Sequence, residues 1–196
     1  VTHSDNKINI KHNNRSFEEK EWGHTTNSHI DRELTQYNST FIKQDIKEAY
    51  QEAFGEALEE YNAKQKRKDR QIDDYYEYVK SLNDQHKKKG KSTATTKYNV
   101  QDEIIVTIGN KETWDDLHDR FLGSINDKAE AEKHFIEYKK KLSDEIFKGF
   151  LDEFQAKHKH IHVFNAVGHY DEAGAPHMHM TFFGKAEGMK KGLRLQ

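Results

Sequence analysis

The chain has 196 residues, of which 33% are hydrophobic and 34% charged, with a formal charge of −2; that length carries one sizeable core and does not require two. No apolar run approaches the roughly 18 residues that span a bilayer, and no charged start followed by an apolar body marks a signal peptide, so a cytoplasmic protein is expected. With no cysteine, disulfides and thiolate ligands are excluded, and any metal must be held by His, Asp or Glu.

The first forty or so residues are polar, rich in Asn and His and poorly periodic; they predict a short strand near Lys7 to Lys11 and then loop. From Thr40, residues Ile42, Ile46, Tyr50, Phe54, Leu58 and Tyr61 recur every three or four positions, which predicts an amphipathic helix of about 22 residues. After the basic run KQKRKDR at 64–70, the residues Ile72, Tyr75, Tyr76, Val79 and Leu82 predict a second helix. It ends in HKKKGKSTATTKYN, where Gly, Ser and Thr act as breakers. The run EIIVTIG reads as a buried strand, and a short helix is expected around Thr113 to Leu122. Phe135, Tyr138, Leu142, Ile146, Phe150 and Phe154 then mark a long helix from about Lys128 to Lys157. Two strand-like runs around a Gly174–Pro176 loop form a hairpin. The order predicts a single α+β domain over 1–196, an antiparallel sheet with helices packed on one face and a helical insertion over about 41–97.

The chemistry concentrates in HYDEAGAPHMHM at 169–180. Residues two apart in a strand share a face, so His177 and His179 project together while Met178 and Met180 turn into a core. His169 ends the preceding strand, where cross-strand neighbours lie about 4.5–5.5 Å apart, and three imidazoles can converge on one ion. Glu172 is placed to be a fourth ligand or to orient an imidazole. The nearby HKHIH at 158–162 is a weaker candidate, because its outer histidines would stand about 13 Å apart along a strand; it reads as a helix end and strand start. Three neutral imidazoles suit Zn2+ or Mn2+ better than Mg2+. The absence of HExxH argues against a zincin-type protease, and a metal with open positions can polarise a phosphoryl oxygen. In the N-terminal segment, KHNNR gathers Lys11, His12 and Arg15, and NSHIDREL gathers His29, Asp31, Arg32 and Glu33. Read from residue types alone, this segment is either part of a reaction site or a polar loop that only binds phosphate or contributes nothing.

Taken together, IKHNNRSF, NSHIDREL and HYDEAGAPHMHM resemble, in order and over most of the chain, the catalytic domain of MobV-type (Mob/Pre) plasmid mobilisation relaxases, a branch of the HUH endonucleases. The resemblance implies a bacterial enzyme that nicks and religates one DNA strand at a transfer origin through a covalent 5′-phosphoryl intermediate. It implies His169, His177 and His179 as metal ligands, Glu172 as the acid beside the metal, His12 as nucleophile and Arg15 as its arginine. Mn2+ is the expected ion, with Mg2+ or Zn2+ as alternatives. The loop AGA before Pro176 is one residue longer than the family's usual form, and the insert between Tyr37 and Tyr98 is long and basic.

On that resemblance, the metal neutralises charge on the scissile phosphate, His12 attacks in line, and Arg15 clamps a nonbridging oxygen. Tyr37 is the reserve nucleophile. Lys11, Asn13, Arg15, Trp22 and Arg32 are expected to contact DNA, with lysine-rich runs tracking the backbone and Trp22 stacking on a base. The expected partner is single-stranded origin DNA beside a hairpin, with coupling or accessory proteins and dimerisation assigned to a C-terminal region beyond Gln196. Alternatives are a rolling-circle replication initiator or transposase of the same class, a metal hydrolase using water, and a non-enzymatic DNA-binding or metal-buffering module.

Overall fold

A computed structural model of the chain describes residues 2–3, 8–88 and 99–185. Most of the breaker loop HKKKGKSTATTKYN, the start of the strand expected at Lys7, and the basic run KKGLR at 190–194 lie outside the described residues. The elements in chain order are β1 (Thr2–His3), α1 (Ile10–Asn13), α2 (Glu19–Trp22), β2 (Ser39–Lys43), α3 (Ile46–Ala63), α4 (Tyr75–Lys88), β3 (Asp102–Thr107), α5 (Lys111–Ser124), α6 (Lys128–Lys157), β4 (Ile161–His169) and β5 (His177–Gly184). The fold is α+β, with an antiparallel sheet of order β1-β3-β5-β4-β2, and Thr2 and His3 pair with Ile105 and Ile104. β5 therefore runs between β3 and β4, which brings residues of both neighbours beside its histidines.

Two expectations near the N-terminus are corrected. Ile10 to Asn13 form a helical turn where a strand was expected, because Asn9 caps it by accepting from the His12 N–H at 3.1 Å. The helix expected from Thr40 begins at Ile46 instead. Ser39–Lys43 are extended, as the β-branched Thr40 and Ile42 favour, and Asp45 sets the helix start by accepting from the N–H groups of Lys47 and Glu48 at 2.8 and 3.4 Å. The remaining elements stand within a few residues of their sequence expectations, and α6 matches at both ends.

The chain groups into two compact units. In the unit formed by Lys43–Asp102, Gln155–Asn165 and Thr181–Gln196, α3 and α4 pack on each other. Their buried Tyr50, Phe54, Leu58, Tyr75 and Val79 form an aromatic core in which Tyr50 lies 4.4 Å from Phe183 and Phe54 4.9 Å from Tyr75, centroid to centroid. The Tyr50 hydroxyl donates to the Val100 carbonyl at 2.7 Å.

The unit formed by Val1–Ile42, Glu103–Phe154 and Ala166–Met180 holds all the candidate site residues. Phe147 of α6 is fully buried and stacks on Tyr170 at 6.4 Å with 6° between the rings. The Tyr170 hydroxyl donates to Asp144 Oδ1 at 2.6 Å. Tyr170 directly follows His169, so alternation along the extended chain puts α6 on the face opposite the histidine. A side chain at Gly168 would meet the Tyr170 hydroxyl at 2.7 Å, so only glycine admits this packing. The histidine face is instead covered by the N-terminal segment, where Ile30 bridges to Glu172 and the Asp31 N–H donates to the Asp171 carbonyl at 2.7 Å.

Candidate functional site

His169, His177 and His179 converge. Each offers a ring nitrogen, and the three nitrogens lie within 4.8 Å of one another; centroids are 4.9–5.2 Å apart. Met178 and Met180 are fully buried, as alternation along β5 requires. The longer AGA loop does not prevent convergence. It turns through Gly174 at φ 118°, a backbone conformation glycine reaches without penalty.

The tautomers follow from the partners. The His169 Nε2–H donates to the Asn13 carbonyl at 2.7 Å, so Nδ1 carries the lone pair, and that nitrogen is buried with no hydrogen-bond partner. His177 places Nδ1 3.4 Å from the Ala175 carbonyl, which leaves Nε2 for an ion. Glu172 sets Oε1 3.6 Å from His169 Nδ1 and Oε2 3.6 Å from His177 Nε2. Ligands about 2.1 Å from a tetrahedral ion stand ~3.4 Å from each other, so the nitrogen–carboxylate spacing fits a shared ion. These His and Glu groups can hold a metal, and the orphaned buried nitrogen is the observation that favours one.

Burial holds His177 down to about 4, helped by His169 and His179. Burial also lowers His169, with Arg15 and His179 adding to it. Both imidazoles are therefore neutral donors at physiological pH. Burial works to raise Glu172, yet the adjacent His169, then His177 and the hydrogen-bonded Arg15, hold it well below the usual carboxylate range.

Residue types gave no reason to single out Glu103. It lies on β3 with 7% exposure, 3.3 Å from His179 Nδ1, and accepts from Asn13 Nδ2 at 2.5 Å. Asn13 is 2% exposed; its side chain steadies Glu103 and its carbonyl steadies His169. Expected to contact DNA, it is instead a buried strut between two of the three histidine neighbourhoods.

His12 stands beside this cluster, with its ring centroid 6.1 Å from His169 and 6.3 Å from His179, and stacks on His29 at 5.7 Å. Burial, then Arg15, pushes it down to about 4, so it too is neutral. Arg15 is buried. Its Nε and Nη2 form a bidentate pair with Asp171 at 2.9 and 2.8 Å, Nη2 also reaches Glu172 Oε1 at 2.6 Å, and Nη1 reaches the His12 carbonyl at 3.0 Å and His12 Nε2 at 3.1 Å. All five guanidinium donors are engaged. In this structure every Arg15 N–H thus faces a protein acceptor, and a phosphate oxygen would have to displace one of these partners to be clamped by it.

The backbone at Arg15 has φ 50°. Its N–H bonds the His12 carbonyl at 3.1 Å, and the Ser16 N–H bonds the Lys11 carbonyl at 2.9 Å. This pair of bonds closes α1 in a motif that usually takes glycine. A residue with a Cβ in that conformation costs about 1–2 kcal/mol; the side-chain bonds of Arg15 to Asp171, Glu172 and His12 hold it there.

The other expected residues lie outward. Lys11 is exposed and paired with Glu21 at 2.7 Å. Arg32 is exposed, paired with Glu19, and sits 5.1 Å over the Trp22 ring, which in turn meets Phe17 edge-on at 5.0 Å. Tyr37 ends a short 3₁₀ turn, Thr35–Tyr37, whereas His12 is the residue that ring contacts place against the clustered histidines His169 and His179. HKHIH lies, as read, between the end of α6 and the start of β4. Among the described residues no helix is long and apolar enough to cross a membrane. Comparison of the chain with protein-family models, curated proteins and solved structures returns no match.

Proposed function

We propose that the chain is a metal-dependent DNA strand transferase that nicks and religates single-stranded DNA, as its sequence resemblance to MobV-type relaxases implies. The observation that carries the reading is the neutral His12 imidazole standing about one ring's width from a three-histidine cluster with an adjacent carboxylate. A neutral imidazole is a competent nucleophile at phosphorus. His169, His177, His179 and Glu172 would hold the ion, Mn2+ in this reading, which when bound supplies charge neutralisation at a phosphoryl oxygen.

His12 attacks phosphorus through a ring nitrogen, the bond from phosphorus to the 3′ oxygen breaks, and that oxygen leaves as a 3′-OH after taking up a proton from solvent. The 5′ phosphate stays on His12, and the free 3′-OH can reverse the step to reseal the strand. Lys11 and the Phe17–Trp22–Arg32 surface lie on the same segment and offer cationic and stacking contacts to the flanking nucleotides. The site specificity, the hairpin and the accessory partners follow from the resemblance.

The test is intact-mass spectrometry after incubation with transfer-origin oligonucleotides and Mn2+. Wild type is expected to gain the mass of the fragment downstream of the nick, the one that bears the 5′ phosphate, on the peptide containing His12. The His12→Ala variant is expected to bind DNA without forming adduct. Full adduct formation by that variant would sink His12, and cleavage with no adduct in wild type would favour water as the nucleophile.

A further inference from the structure

Asp171 is the most heavily engaged carboxylate near the site, yet it belongs to neither the proposed ligand set nor the proposed nucleophile. Its side chain is fully enclosed and accepts four bonds: two from Arg15, one from the Thr35 hydroxyl at 2.9 Å and one from Asn38 Nδ2 at 2.7 Å. Asn38 in turn accepts from the Tyr170 N–H at 2.7 Å. The carboxylate is thus fastened to the end of β4 on one side and to the Thr35–Asn38 turn on the other.

We propose that Asp171 is a positioning residue: through Arg15 it aims the His12 imidazole and fixes which of its ring nitrogens carries the lone pair. A guanidinium has donors and no acceptor. Arg15 Nη1, facing His12 Nε2 at 3.1 Å, therefore selects the tautomer with the proton on Nδ1 and the lone pair on Nε2. The bidentate pair with Asp171 fixes the plane of the guanidinium. The same Nη2 that bonds Asp171 also bonds Glu172, so one rigid fork sets the nucleophile and the carboxylate beside the metal-ligand histidines. Arg15 cannot be replaced by lysine in this role, because a single ammonium lacks the planar fork that spans His12, Asp171 and Glu172.

The catalytic consequence rests on His12 being the nucleophile, whose Nε2 lone pair would exchange the Arg15 N–H for phosphorus in the attack, but the tautomer can be read without activity. The full chain is labelled with 15N-histidine, loaded with diamagnetic Zn2+ and observed by long-range 15N–1H correlation near neutral pH, with His12 assigned by its loss in His12→Gln. Wild type is expected to show a single Nδ1–H tautomer at His12. Asp171→Asn and Arg15→Lys are expected to show averaged tautomers and to slow single-turnover nicking at saturating Mn2+ by about tenfold or more, with DNA affinity retained. If Asp171→Asn does not fold, Thr35→Val removes one of the four bonds, Arg15→Lys keeps the cation, and the comparison stands on those two. A His12 spectrum unchanged in these variants, or a wild-type proton on Nε2, overturns the proposal. A spectrum that changes as expected in a protein that forms no adduct overturns the nucleophile reading and leaves the positioning geometry standing.

Discussion

Replacing Asn13 with alanine tests how the three-histidine cluster is braced. The substitution leaves the main-chain carbonyl that holds His169 and deletes only the Nδ2–H bond to Glu103, 2.5 Å long between residues 2% and 7% exposed. A buried hydrogen bond to a charged acceptor contributes about 1.5–3 kcal/mol. In a chain of this size each kcal/mol moves the melting point by roughly 2–4 °C, so Asn13→Ala should melt ~3–12 °C lower. Glu103 then loses its hold beside His179, and weakening a partner of a metal-ligating histidine costs about 10–100-fold in metal affinity. Differential scanning fluorimetry with and without MnCl2, and Mn2+ titration by electron paramagnetic resonance, measure both effects. The double variant with Glu103→Gln should lose less than the sum of the single changes. A melting point within about 1 °C of wild type together with unchanged Mn2+ affinity would refute the bracing role.

Burial lowers His12 and His177 to about 4 and holds His169 below 6.5. As pH falls the unfolded chain takes up protons first, so stability should decline progressively from about 6.5 toward 4. Glu103, Asp171 and Glu172, held low despite burial by His179, Arg15 and His169 respectively, contribute stability above the ordinary carboxylate range that is lost as pH falls through and below it. Urea midpoints measured from pH 8 to 3 check the profile, and a midpoint flat from 7 to 4 contradicts it. Phe147→Ala empties a fully buried position and should cost about 3–5 kcal/mol in chemical denaturation. Trp22→Ala removes a half-buried ring between Phe17 and Arg32 and should weaken single-strand binding by about 1–3 kcal/mol in anisotropy titrations, with metal binding unchanged.

The histidine cluster was legible because its geometry is local. His177 and His179 share a face by strand alternation, Met178 and Met180 confirm it from the other side, and Gly174–Pro176 announces the turn that brings His169 back. The long helices were equally legible, since an apolar residue every three or four positions over thirty residues has few other readings. Glu103 was not legible: it opens an apolar strand run, and only the pairing of β3 with β5 reveals that it faces His179. Asn13 and Arg15 were noticed but their burial was not legible, because it depends on partners 90 and 156 residues away. Ile42 misled for a different reason. It falls in step with the helical repeat that follows, yet the short β-branched stretch around it joins the sheet edge before Asp45 starts the helix.

The left-handed turn at Arg15 sets local backbone preference against site chemistry at one position. Glycine there would relax the backbone by about 1–2 kcal/mol and leave the two closing bonds of α1 intact. It would also strand Asp171, a carboxylate sealed from water, without the cation that makes its burial tolerable, at a cost of about 3–5 kcal/mol, and leave His12 to rotate. The buried pair outweighs the turn, so a library scored on folding alone should keep arginine at residue 15 even though the local backbone prefers glycine.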